Sequence, residues 1–428
     1  MTTLGLTGGQ VLRPNHSIER ADVLIDQEDG TILAVEPAAG ERADETLDAS
    51  DSLVIPGLIN AHSHVAMTLL RGYADDKPLE SWLREDIWPA EGAMTPSDVA
   101  TGARLGVAEM IRSGTTAFCD MYFEVPTIAD VVETAGLRAR LGHGVVTVGK
   151  SEAERDVDVT TGIEVAESLS SDRISTAIMP HSLTTVAPDS IERLSARARQ
   201  LDCPVHFHMS ETTAEVTPVI ENHNVSPATF AREHGLLEPT DFVAHGVHLD
   251  DAEIETLAET ETGVVHCPAS NMKLASGMAP VQSMLDGGVT VGLGTDGAAS
   301  NNDLDMFDEM RDAAMLGKLQ ADDASAVPAS TVFRMATEGS AACCGFDSGR
   351  IEPNAPADLA VVDLSALHLT PQTDLISHLV YATTGADVRH TICDGKVLME
   401  DRELLTLDEA DIRASANQHA RDLFERVA

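Results

Sequence analysis

A chain of 428 residues, 43% of them hydrophobic, is long enough to bury a large core and to fold as one large domain with a smaller one, at roughly 100 to 200 residues per domain. Its 70 acidic residues outnumber 28 basic ones and are scattered along the chain, giving a net charge of −42. That balance excludes the basic footprint that nucleic acid or an anionic membrane requires, and it suits a protein kept soluble in concentrated salt, where repulsion between carboxylates is screened.

Six cysteines without a Cys-x-x-Cys pair read as reduced, buried thiols and not as a disulfide framework or a thiolate zinc site. The N-terminal residues lack a basic start and an apolar signal core, and no stretch approaches the roughly 18 uninterrupted apolar residues of a membrane span, so a cytoplasmic protein is expected.

In chain order, residues 1–52 alternate short β-like runs with Gly, Asp and Pro turns and predict a small antiparallel sheet. The same texture returns at Asp358–Asp363 and Val388–Leu398, so residues 1–52 and 350–405 are expected to form one β-sandwich-like domain from both chain ends. Between them, residues 53–349 hold eight β-rich segments separated by stretches long enough for helices: Leu53–Leu58, Gly114–Met121, Arg138–Val146, Ile174–His181, Pro204–Ser210, Asp241–His248, Gly263–Pro268 and Val289–Thr295. Eight such units are the count of a (β/α)₈ TIM-type barrel. Residues 406–428 have helical spacing with charges on one side and predict a helix packed on the body.

Histidines and carboxylates gather at the C-terminal ends of these segments, where a barrel keeps its chemistry. His62 and His64 follow the first, His181 ends the fourth, and His206, His208 and Glu211 mark the fifth. His245 and His248 follow on the sixth, His266 on the seventh and Asp296 on the eighth. In His-x-His the two imidazoles share one strand face and can share one metal ion. His62, His64, a histidine of the fifth strand and Asp296 would supply a nitrogen and oxygen set for zinc or a similar ion, with a position left for water whose pKa falls toward about 7. Glu211 and His245 stand one loop step away and suit proton transfer. His248 and His266 read as supporting residues, and His16, His223, His234, His368, His378, His390 and His419 as surface residues.

These residues resemble the amidohydrolase superfamily and, within it, the methylthioadenosine/S-adenosylhomocysteine deaminases. The matching runs span nearly the whole chain: Pro56-Gly-Leu-Ile-Asn-Ala-His-Ser-His64, Leu79-Glu-Ser-Trp-Leu83, Trp88-Pro-Ala-Glu91, Pro180-His-Ser182, His208-Met-Ser-Glu-Thr-Thr-Ala-Glu215, Val264-Val-His-Cys-Pro-Ala-Ser-Asn271 and Gly294-Thr-Asp-Gly-Ala-Ala-Ser-Asn-Asn302. The resemblance implies one divalent metal per chain, zinc first with iron or another transition metal as alternatives, held by His62, His64, His208 and Asp296. It also implies that Glu91 holds the ribose hydroxyls, that Trp82 lies against the purine and that His181 contacts the nucleoside. Glu211 would protonate the ring nitrogen beside the reacting carbon, while His245 and Asp296 move protons until ammonia leaves. The implied reaction converts 5′-methylthioadenosine, S-adenosylhomocysteine, 5′-deoxyadenosine or adenosine to the inosine derivative.

One departure concerns the third segment, where many members carry an arginine thought to grip the homocysteine carboxylate and this chain has Leu141-Gly-His-Gly144. A neutral imidazole cannot give a bidentate, permanently charged contact, so His143 is expected to meet the substrate and to disfavour the homocysteine conjugate. The alternatives are another mononuclear amidohydrolase, such as a guanine or cytosine deaminase or a triazine-type chlorohydrolase, and a scaffold that has lost catalysis. The expected partner is a small nucleoside, with no nucleic acid or membrane and with a homo-oligomer left open.

Overall fold

In the computed structural model, which describes residues 2–428, eight parallel strands follow one another around a ring. They are Leu58–His64, Thr115–Tyr122, Arg138–Val145, a broken strand made of Ile174–Thr176 and Met179–Pro180, His206–Met209, Phe242–His245, Gly263–His266 and Val291–Leu293. Isolated bridges Ile178–Val205 and Ser182–His208 join the fourth to the fifth, and ladders join the other neighbours, with register shifts between the first and second strands at Leu58/Ile59 and Asn60/Ser63. Asp296 and Gly297 close the ring by pairing with Ser63 and His64. The architecture is the (β/α)₈ barrel with helices outside.

The alternation of a β-strand decides which side chains reach the axis. On the fifth strand His206 and His208 face inward, whereas Phe207 and Met209 pack outward in the apolar layer shared with the helices. Burying such side chains contributes about 1.5 to 3 kcal/mol each, and a one-residue slip would exchange the two sets.

The run Leu53–Leu58 is divided, contrary to its reading as the first barrel strand. Ser52–Pro56 pairs antiparallel with Leu359–Asp363 in a seven-stranded sheet, and the barrel strand begins at Leu58, opposite Thr115. Gly57 is the crossing point: a Cβ there would sit 2.1 Å from Thr116 Oγ1, so only glycine fits. The N-terminal residues likewise contribute to two sheets and not to one antiparallel sheet. Thr3–Thr7 runs parallel to Glu45–Asp48 in a four-stranded sheet, and Gln10–Leu12 runs parallel to Ser52–Pro56 in the larger one. Leu6, Val23 and Ile25 of the first sheet share a core with Val54, Val361 and Ile392 of the second, which makes a sandwich.

Helices begin where capping residues allow. Thr95 with Asp98, Ser151 with Glu154 and Asp250 with Glu253 form reciprocal capping boxes that satisfy otherwise orphaned N–H groups. The helix Glu409–Val427 lies on Pro96–Arg112, tied by Arg104–Asp411 at 2.8 Å, Arg112–Glu409 at 2.6 Å and the convergence of His419 and Arg426 on Asp98. His390, read above as a surface residue, is buried in the sandwich with Nε2 3.1 Å from the Asp48 carbonyl. All six cysteines are buried and unpaired. No helix among the described residues is long and apolar enough to cross a membrane.

Candidate active site

Three inward-facing imidazoles are oriented by what their Nδ1 atoms meet. The Nδ1–H of His64 donates to the Met121 carbonyl at 2.6 Å, and that of His208 donates to the His181 carbonyl at 2.6 Å. His62 uses a relay: its Nδ1 lies 2.8 Å from His206 Nε2, and His206 Nδ1 lies 3.0 Å from the Phe242 carbonyl. A carbonyl can only accept, so His206 carries its proton on Nδ1, His206 Nε2 accepts from His62, and His62 Nε2 is left with a lone pair. All three Nε2 atoms turn toward Asp296.

Asp296 Oδ1 is 3.1 Å from His64 Nε2 and 3.4 Å from His62 Nε2, and His208 Nε2 is 3.4 Å from His64 Nε2. Donor atoms of His62, His208, His245 and Asp296 lie within 4.8 Å of one another, so in this cluster His245 stands where the expected set has His64, which borders it through Asp296 and His208. These residues form a His₃–Asp group suited to a metal ion. His62 Nε2 is buried with no hydrogen-bond partner, which in a neutral interior would be costly, and nitrogen donors with one carboxylate match the preferences of zinc and its neighbours. Burial works against ionisation of Asp296, yet contacts to His62 and His64 hold it well below the usual carboxylate range. Burial also lowers His64, but Asp296 overrides it and carries His64 up to about 9, whereas burial brings His62 down to about 4.

Local backbone geometry is arranged for this convergence. Asp296 and His245 both have φ in the left-handed region, at 60° and 75°, an uncommon state for non-glycine residues that clusters at functional sites. At Gly294 a Cβ would meet the backbone N of His62 at 2.7 Å, so the eighth strand can close on the first only with glycine there.

Above the group opens a cavity of about 270 Å³. Of the expected site residues, His64, His208, Glu211, His245 and Asp296 form its floor and Trp82, Glu91 and His181 its walls, with His62 buried beneath. Burial raises the Glu211 carboxyl, and Ser276 Oγ donates to its Oε1 at 3.0 Å. His245 Nε2 is 3.8 Å from Glu211 Oε2, and its Nδ1 donates to Asn271 Oδ1 at 2.9 Å. Burial lifts Glu91 to about 7 and drops His181 to about 4.

His143 is a correction. Strand alternation turns Gly142 and Gly144 inward and His143 outward, where its Nε2 lies 2.9 Å from Asp158 on the helix Glu152–Ser168, so it does not line the cavity. His266 is buried with neither ring nitrogen hydrogen-bonded, and His248 Nε2 lies 2.8 Å from the Ser276 carbonyl.

Several supporting residues were not singled out from the sequence. Glu215 accepts from the Glu211 backbone N–H at 3.0 Å, and burial raises it to about 7. Ser270 and Ser300 donate to Asp296 Oδ2 at 2.6 and 2.7 Å. The spacing Glu211-x-x-x-Glu215 and the Ser-Asn pair after His266 were visible, but only the fold shows what they touch.

Comparison with known proteins places these observations. The amidohydrolase family model matches residues 53–398. A 5-methylthioadenosine/S-adenosylhomocysteine deaminase of Haloarcula marismortui is 59% identical over 430 residues, covering 100% of both chains. A 5′-deoxyadenosine deaminase of Methanothermobacter thermautotrophicus is 43% identical over 422 residues, covering 98% of both. The crystal structure of an adenosine deaminase from Xanthomonas campestris with bound zinc superposes with a TM-score of 0.94 at 38% identity, covering 99% of each chain.

Proposed function

The chain belongs to the amidohydrolase family, and on that premise we propose that it is a metal-dependent hydrolytic deaminase of adenosine derivatives. Its substrate is 5′-methylthioadenosine, S-adenosylhomocysteine, 5′-deoxyadenosine or adenosine, and its products are the inosine derivative and ammonia. The observation that carries this reading is the placement of a buried Glu211, its carboxyl raised by burial, beside the His₃–Asp group in one cavity that Glu91 and Trp82 also line. A purine with its amino-bearing carbon at the floor has its ribose within reach of Glu91, a contact that a free base would not offer.

We assign His62, His64, His208 and Asp296 as ligands of one ion per chain, taken to be zinc, with His245 directed to Glu211. When bound, the ion supplies a water of lowered pKa at neutral pH. Glu211 protonates the ring nitrogen next to the reacting carbon, which moves electron density off that carbon as the water oxygen adds. Asp296 Oδ1 and His245 Nε2 take one proton of the water and pass it to the departing amino group, while the remaining hydroxyl proton returns to Glu211, so that ammonia leaves as the carbonyl forms and the acid is restored. Ser270 and Ser300 keep Asp296 oriented, and Asn271 keeps the free nitrogen of His245 turned toward Glu211. Trp82 covers one purine face, and His181, kept neutral by burial, contacts the sugar side. We also take residues 1–56 with 350–405 as the small domain, the expected boundary at 52 moving because Ser52–Pro56 pairs in the sandwich sheet, with the catalytic barrel running from Leu58 to residue 349 and 406–428 as the covering helix. Ammonia release from 5′-methylthioadenosine by the metal-loaded protein tests the assignment.

A further inference from the structure

Two opposite charges at the rim of the cavity are unused. Glu80 and Arg84 lie four residues apart in the helical segment Leu79–Gly92, and both line the cavity while exposed to solvent. Neither side chain makes a hydrogen bond or ion pair, with each other or with any described residue. Arg84 is the one lysine or arginine lining the cavity among the described residues, in a chain where acids outnumber bases 70 to 28. The segment also carries a π-helical turn at Leu83–Ile87, a feature frequent at functional sites, between Trp82 and Trp88, which line the same cavity.

We propose that Glu80 and Arg84 form a subsite for an α-amino-acid zwitterion attached to the 5′ carbon of the nucleoside, with Arg84 on the carboxylate and Glu80 on the ammonium. The inference rests on the deaminase reading. In that reading the reacting carbon stands at Glu211 and the ribose at Glu91, which leaves the solvent-exposed part of the lining, where Glu80 and Arg84 are, for the 5′ substituent. A guanidinium matches a carboxylate bidentately, and a carboxylate accepts from an ammonium. Opposite charges one turn apart with no other partner match a ligand carrying both charges, and methylthio or hydrogen substituents leave them idle. His143, facing Asp158 on the far side of its strand, takes no part.

The test is kcat/KM for S-adenosylhomocysteine, its methyl ester and 5′-methylthioadenosine, measured for the wild type, Arg84→Ala, Arg84→Lys and Glu80→Gln. The wild type should deaminate S-adenosylhomocysteine. Arg84→Ala should lower the ratio of S-adenosylhomocysteine to 5′-methylthioadenosine by about ten- to a hundredfold, chiefly through KM, with Arg84→Lys losing less. Glu80→Gln should lower it by about tenfold or less. The ester, lacking the carboxylate, should be no worse in Arg84→Ala relative to 5′-methylthioadenosine than in the wild type. A ratio indifferent to Arg84, or a wild type that deaminates 5′-methylthioadenosine and ignores S-adenosylhomocysteine, overturns the subsite and leaves the deaminase reading standing. Failure to deaminate any adenosine derivative overturns both.

Discussion

The Nδ1 of His62 lies 2.8 Å from Nε2 of His206, and this buried contact decides which nitrogen of His62 faces the His₃–Asp group. His206 is itself fixed by the Phe242 carbonyl, so a backbone atom of the sixth strand sets the tautomer of a ligand on the first.

His206→Leu keeps roughly the same volume but leaves the Nδ1–H of His62 without an acceptor. The variant should fold and bind metal about 10- to 100-fold more weakly, as read by competition with a chelator of known affinity. Unchanged affinity would show that the relay does not orient His62.

Glu211→Gln removes the transferable proton while preserving shape. Metal content should stay at the wild-type level while kcat falls by roughly 10² to 10⁴. A variant with normal kcat and only a raised KM would move Glu211 from proton transfer to substrate holding.

The barrel and its floor were legible from the sequence because an eightfold spacing of apolar segments and the histidines at their ends are local signals. His62, His64, Glu211, His245 and Asp296 follow from the rule that strand ends share one mouth, whereas the choice of His208 over His206 on the fifth strand came from the family resemblance. What escaped depends on which way a residue turns. His143 sits beside two inward glycines and so points away from the cavity, and Leu53–Leu58 reads as one apolar run although Gly57 hands the chain from one sheet to another. The roles of Ser270, Asn271 and Ser276 come from long-range contacts that no local spacing reveals.

Glu91 gives a pH signature. Burial raises its carboxyl to about 7, with Tyr122 and His64 opposing, and only the ionised form accepts hydrogen bonds from both ribose hydroxyls. Below that value the group is neutral, so kcat/KM should fall as pH drops through about 7 in the free enzyme. In Glu91→Gln this acid limb should vanish and kcat/KM should be low throughout. A limb that persists in the variant would assign it to another group.

The charge of −42 makes stability depend on salt. The Debye length grows from about 3 Å at 1 M to about 10 Å at 0.1 M, so dilution lets the carboxylates repel. Tm should fall on passing from molar to 0.1 M potassium chloride, and adding sorbitol at low ionic strength should not substitute for salt. A Tm insensitive to ionic strength would show that the acids are balanced by local pairing.

The most direct measurement is ammonia and product release from 5′-methylthioadenosine by one preparation in three states: as purified with its metal assayed, stripped by chelation, and reloaded with zinc. The account predicts about one metal per chain, an inosine derivative and ammonia in equal amounts, loss of turnover on stripping and recovery on reloading. Undiminished turnover in metal-free protein, or a fully loaded protein that releases no ammonia from any of the four adenosine derivatives, would contradict it.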